Sequence, residues 1–281
     1  MKQSNTANSR MKMVVIYLVS LIGFVWSAFP VYWMIKSSLT PNDEMYGLNP
    51  RLLPSHLTFE HYVQLFTKTT FARYFLNSVY VAVLSTLVAL VLSILASYAM
   101  TRLRFRGRNF IRQSVLCAYL LPAAVLFIPM YIMISRIGLG NNKISLVIVY
   151  QTFIIPYCCY MLMSYFTAIP KSMEEAAFID GCTHIQALIR VILPIAAPSI
   201  AVVATFAFTM SWNEYLYALV LTTSPSQQTV TVGISGFRFS DNYIWGLIMG
   251  SSVAASLPAV CLYMLAQRFM VTGLAAGGVK Q

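Results

Sequence analysis

The sequence predicts an all-α integral membrane protein: six transmembrane helices, both termini cytoplasmic, and a cytoplasmic two-helix loop between spans four and five. Three observations carry this expectation. Of 281 residues, 58% are hydrophobic and only 10% charged, whereas a soluble domain carries roughly 25% charged residues. Among the uncharged stretches that the charges leave are six apolar ones of 23 to 28 residues, and a bilayer core needs about 20 apolar residues in a helix. The segment between the fourth and fifth stretches carries helix caps and a glycine, which a plain connector would not need. A soluble enzyme, a secreted disulfide scaffold and a β-barrel with period-two strands are all excluded.

The expected spans lie near 13–35, 75–101, 113–135, 144–166, 196–220 and 244–267. They form a transmembrane domain over 13–268, with short tails at 1–12 and 269–281. The first stretch, from Met13 to Ile35, is longer than the 7–15 apolar residues of a signal peptide and lacks a small-x-small cleavage site, so it reads as an uncleaved span. After it, the segment 58–77 places Phe59, Tyr62, Val63 and Phe66 at i, i+3, i+4 and i+7, an amphipathic helix at the outer interface. His56 and His61 lie in this region without a carboxylate or cysteine framework suited to zinc.

Span two carries Ser78, Ser85, Ser93 and Ser97 on one helical face, with Ala82, Ala89 and Ala96 on or beside it. Small residues there suit close helix packing or the wall of a wet pathway. The loop that follows has five arginines between positions 102 and 112. Counting all loops, one side of the membrane collects 12 Lys+Arg and the other 7. The basic excess marks the cytoplasmic side, which places both termini there and explains the arginine run without nucleic acid.

Pro122 and Pro129 interrupt span three, Pro156 span four and Pro258 span six, each an invitation to kink. Cys117, Cys158, Cys159 and Cys261 fall inside spans and Cys182 in a cytoplasmic loop, none at metal-ligand spacing. In span five, Glu214 is an ionisable group in a membrane segment, expensive unless it faces protein, a cavity or a partner. Thr205 and Thr209 precede it, and Trp212 and Asn213 stand beside it. The trio Trp212, Asn213 and Glu214 is expected either to anchor structure by hydrogen bonds or to line the outer part of a solute path.

The loop from Lys171 to Pro194 is the most informative stretch. Ser172 with Glu175, and Thr183 with Gln186, are capping-box patterns that start two helices. Gly181 fits the left-handed position just past the first helix. Ile185, Leu188, Ile189 and Ile192 give the second helix an apolar face, and Pro194 is expected to stop it before span five.

The run Glu174, Glu175, Ala176, Ala177, then Asp180 and Gly181, followed by Leu193 and Pro194, is similar to the EAA loop of bacterial ABC importer permeases. Cys182, Leu188 and Val191 are mild departures from its usual residues. "YAMTRLRFRGR" after span two, "WNEYLYALVLT" in span five and the tail "VTGLAAGGVK" resemble maltose-transporter-type permeases of the carbohydrate uptake class, from about residue 70 onward. The resemblance implies a multi-pass protein of the bacterial cytoplasmic (inner) membrane that moves a sugar or sugar-like solute by alternating access. It implies that the eight loop residues just named couple transport to ATP hydrolysis. Implied partners are a second homologous permease subunit, a cytoplasmic ATPase dimer, an extracytoplasmic solute-binding protein and membrane lipid. The chain itself has no G-x-x-x-x-G-K-[ST] motif, so ATP and Mg belong to the partner ATPase, and this chain binds no cofactor and is not itself an enzyme. A gradient-driven secondary transporter is the alternative, and Glu214 is the carboxylate it would have to use.

Overall fold

The computed structural model describes residues 4–47, 51–239 and 242–277. Positions 1–3 and 278–281 of the two expected tails, with Lys2 and Lys280, lie outside the described residues. The described chain is helical apart from loops and one two-residue hairpin, β1 (Arg238–Phe239) paired antiparallel with β2 (Asn242–Tyr243). Two compact units are distinguished.

The first unit is drawn from the described part of Met1–Thr69 together with Gly236–Ala254. It contains α1 (Ser4–Ser38), the short α2 (Asn42–Met45), α3 (Glu60–Thr67), the hairpin and the opening turns of α13 (Trp245–Gly277). Along α1, residues 12–38 are apolar enough to span a bilayer, and only Ser37 and Ser38, at the end of that stretch, are buried within the chain. Buried His61 places Nε2 2.9 Å from the Thr40 carbonyl, so the ring N–H donates there. Gly246 makes room for that ring, since a Cβ at 246 would lie 2.2 Å from it. Ser55 donates to Glu44 through both its amide (2.9 Å) and its hydroxyl (2.8 Å), and these bonds hold the Glu44 carboxyl below the usual carboxylate range. The amphipathic helix expected at the outer interface takes a different form. The segment 58–77 is interrupted, with α3 ending at Thr67 and the next helix starting at Phe71. His61 and Leu65 form the buried face of α3, while Phe59, Val63 and Phe66 stay exposed.

The second unit is drawn from Thr70–Ser235 and the described part of Ala255–Gln281. Its centre is α4 (Phe71–Arg102) packed along α7 (Lys143–Ala168). The small-residue face of α4 makes this seam: Ser78, Ser85, Ser93, Ser97, Ala82 and Ala89 are all buried. Ser93 and Ser97 donate to the carbonyls of Ile155 and Cys159 on α7, at 3.4 and 3.3 Å. Small side chains at these positions let the two backbones approach closely. A third long helix, α10 (Leu193–Trp212), packs on both, and Val81, Tyr150, Ile154, Leu162, Val203 and Ala207 fill the shared core.

Among the described residues, five helices are long and apolar enough to cross a membrane, six if one bent pair counts as a single span. That pair is the expected third span. It divides into α5 (Arg108–Leu120) and a second arm, a short 3₁₀ turn at Ala123–Leu126 leading into α6 (Phe127–Arg136), with a 93° bend at the break between Leu120 and Ala123. Leu121 and Pro122 are extended, because a residue before proline is pushed out of the α region. Pro156 and Pro258, by contrast, lie inside uninterrupted helices.

Candidate functional site

Ile169, extended before Pro170, ends α7, and the loop helix α8 (Lys171–Ile179) starts directly after that proline. Ser172 is therefore inside the helix and makes no cap; the expected Ser172–Glu175 box does not form. The far end is as expected. Gly181 has φ +82°, the left-handed region that a residue with a Cβ enters only with strain. Cys182 N–H bonds the Ala177 carbonyl (2.9 Å) and Gly181 N–H that of Phe178 (3.0 Å), the paired bonds of a Schellman turn.

Thr183 and Gln186 form a complete capping box, with the Thr183 amide donating to Gln186 Oε1 at 2.8 Å and the Gln186 amide to Thr183 Oγ1 at 3.3 Å. They open α9 (His184–Ala187), which does not stop at Pro194. A π-turn (Leu188–Ile192) carries α9 directly into α10, so one helix runs His184–Trp212. Pro194 has no N–H to offer the carbonyl four residues back, and the widened turn, closed by Leu193 N–H on Leu188 O, absorbs that gap. The second loop helix is thus continuous with the long apolar helix of the expected fifth span, and that helix begins well before residue 196.

The loop residues sort by burial. Glu174 and Ala177 point inward; Glu175, Ala176, Asp180 and Gly181 are exposed; Leu193 is half-buried and Pro194 exposed. Glu174 is 4% exposed. Its Oε2 lies 3.3 Å from Arg102 Nε, and its Oε1 accepts the Tyr98 hydroxyl. Arg102 Nη2 also donates to the carbonyls of Phe166 and Ile169, both at 2.8 Å. One guanidinium therefore ties together the ends of α4, α7 and α8. The sequence placed Arg102 among the topological charges and, with Tyr98, in the run "YAMTRLRFRGR", but gave neither residue a partner. The available signal was Glu174 itself, since a carboxylate on the inward side of a short amphipathic helix needs a cation near it. Around the turn, apolar side chains face outward: Ile179 is 87% exposed, and Phe178, Ile185 and Ile189 are exposed too. Of the expected apolar face, Leu188 and Ile192 are buried.

The second candidate cluster divides as well. Trp212 is buried, its indole N–H on the Ala255 carbonyl at 3.1 Å and its ring against Phe75 and Phe208. Asn213 is exposed. Glu214 is not within a helix but in the break between α10 and α11 (Leu216–Leu221). Its carboxylate accepts the Tyr150 hydroxyl (2.8 Å) and the amides of Tyr217 (2.9 Å) and Ala218 (3.1 Å). It therefore satisfies two of the orphan amides that open α11. Its backbone carbonyl accepts the hydroxyl of Thr231 (2.8 Å) in α12 (Val230–Ser235). Thr205 and Thr209 bond carbonyls of their own helix instead. Tyr150 and Thr231, far away in sequence, were not foreseen.

A helical chain with several candidate spans and a capped, glycine-hinged loop braced on two of its long helices suits one class, the membrane subunit of a solute transport system. Residues 89–272 match the family model described as binding-protein-dependent transport system inner membrane component, and the chain belongs to that family. It is 38% identical over 254 residues to the inner membrane ABC transporter permease protein YcjP of Escherichia coli, covering 90% of this chain and 91% of that one. It is 34% identical over 273 residues to the trehalose/maltose transport system permease protein MalG of Thermococcus litoralis, covering 96% and 98%. A crystal structure of a bacterial ABC transporter involved in the import of the acidic polysaccharide alginate shares the fold, with TM-score 0.82 at 21% identity over 93% of this chain and 97% of that one. The protein is thus a multi-pass permease subunit of an ABC importer in the inner membrane, not an enzyme.

Proposed function

We propose that this permease translocates a sugar or sugar-like solute by alternating access, with both termini cytoplasmic and 171–194 as its coupling loop. The sugar class is supported by relatives named for trehalose/maltose and for diacetylchitobiose uptake, at 34% and 33% identity. The observation that carries the coupling role is the division of the loop. Its inner side is fastened to α4 and α7 through Glu174 and Arg102, and its outer side presents Glu175, Asp180 and a set of exposed apolar side chains led by Ile179. A lever needs both a rigid attachment and a free docking face. A cytoplasmic ATPase dimer, which carries the ATP and Mg, docks on that face; a second homologous permease completes the pathway and an extracytoplasmic binding protein delivers the solute. In the outer region, Glu214 and Trp212 brace the pathway, and Asn213 is the member of that trio left free to meet solute.

The test reconstitutes this chain with its partner permease, ATPase and binding protein in vesicles, and records ATPase activity and sugar uptake together. Gly181→Asp is expected to reduce uptake and uncouple it from hydrolysis. Wild-type values for both would remove the loop from coupling. Uptake that follows an ion gradient in the absence of ATP would establish the gradient-driven alternative.

A further inference from the structure

Between α5 and α7 lies a cavity of about 560 Å³. Asn109, Arg112 and Gln113 line it from α5, and Tyr160 and Ser164 from α7. The side chains of Asn109, Arg112, Gln113 and Ser164 have no hydrogen-bond or ion-pair partner among the described residues. No carboxylate lines the cavity, and the acid of the neighbouring loop, Glu174, is already engaged by Arg102. A second cavity of about 350 Å³ shares Asn109 and adds Arg104 and Arg108. Arg108 donates to the Leu103 carbonyl at 3.0 Å, but Arg104 and Arg106 are unpaired among the described residues. The far wall changes character: Leu116 and Met163 line it, and Tyr119 stacks on Tyr160 at 5.2 Å.

We propose that this cavity binds a phosphate-type anion, supplied as the headgroup of an acidic phospholipid of the cytoplasmic leaflet. Unpaired guanidinium, amide and hydroxyl donors converge on a space with no acid to neutralise them, which is the chemistry of a phosphate site. The adjoining apolar wall suits the glycerol and first acyl carbons, which a free phosphate lacks. Basic pockets between membrane helices at the cytoplasmic side recognise such headgroups. The proposal rests on the orientation set by the basic residues, not on the identity of the transported solute.

The complex of this chain with its partner permease and ATPase is reconstituted in phosphatidylcholine with phosphatidylglycerol, then extracted and weighed by native mass spectrometry. Arg112→Gln is expected to lower retained phosphatidylglycerol roughly fivefold, the effect of one arginine at an anionic surface. Ser164→Leu, which fills the cavity without changing charge, is expected to lower it comparably. Arg106→Gln, outside both cavity linings, is expected to leave it unchanged. Equal losses for Arg106→Gln and Arg112→Gln would overturn the proposal in favour of diffuse attraction, as would full retention in both Arg112→Gln and Ser164→Leu. Displacement of the lipid by inorganic phosphate would overturn the lipid source.

Discussion

Arg102, the last residue of α4, and Glu174, in the first turn of α8, form an ion pair at 3.3 Å whose side chains are 4% and 6% exposed. A buried charge stripped of its partner is costly, so the pair works as a joint rather than as a source of net stability. Glu174→Ala leaves Arg102 buried and is expected to cost about 3–5 kcal/mol. Glu174→Met with Arg102→Met removes both charges and should recover most of that loss. Thermal unfolding of the complex measures the stability, and a double variant no better than Glu174→Ala would contradict the joint.

Gly181 has open space around the position of a Cβ, with nothing within 4 Å. Any penalty within the chain therefore comes from its positive φ, about 1 kcal/mol for Ala. Asn tolerates this region and β-branched residues do not. Coupled uptake is expected to fall in the order Asn, Ala, Val. An equal loss for all three would assign the penalty to the docking surface instead of the backbone.

Glu214 holds the start of α11 with two amide bonds and is held in turn by Tyr150. Glu214→Gln turns one acceptor into a donor facing donors, at an expected cost of about 1–3 kcal/mol. Hydrogen exchange should rise at the amides of Tyr217 and Ala218. Tyr150→Phe keeps both amide bonds, so exchange there should rise less. Wild-type exchange in Glu214→Gln would mean that the carboxylate does not anchor this helix.

Gly233 lies against Tyr74, where a Cβ would come within 2.1 Å of the ring. Overpacking of this kind costs about 1–3 kcal/mol. Gly233→Ala is expected to lower thermal stability, and pairing it with Tyr74→Ala should return part of the loss. No recovery in the pair would locate the strain elsewhere.

The Glu44 carboxyl is held low by Ser55. A group whose folded pKa lies below its unfolded value contributes stability above the unfolded pKa and loses it as pH falls through the folded one. The 44–55 loop is therefore expected to become protease-sensitive only in acid, below the usual carboxylate range. Ser55→Ala keeps the amide bond but removes the hydroxyl, and should move that onset to higher pH. An unchanged onset would show that the hydroxyl contributes nothing.

Much of the architecture was legible because it depends on local physics. Charge spacing marked the long apolar helices, since no lone charge is left in hydrocarbon cheaply. The serine and alanine face of α4 marked the seam with α7, since close approach needs small side chains. Gly181 and the Thr183–Gln186 box were legible for the same reason, as turn and cap geometry involve neighbours in sequence. Local patterns also misled where two of them competed. Pro170 took the helix boundary that Ser172 was expected to mark, Pro194 was absorbed by a π-turn instead of ending a helix, and Pro122 broke a span while Pro156 did not.

By itself, then, the sequence determined the membrane class, the long apolar helices and the turn at Gly181, because hydropathy and backbone preference act over a few residues. Only the tertiary structure decided which polar groups meet. Glu174 finds Tyr98 and Arg102 across more than seventy positions, and Glu214 finds Tyr150 across sixty-four. The partners of a buried carboxylate are set by which helix ends pack side by side, and no period along the chain records that.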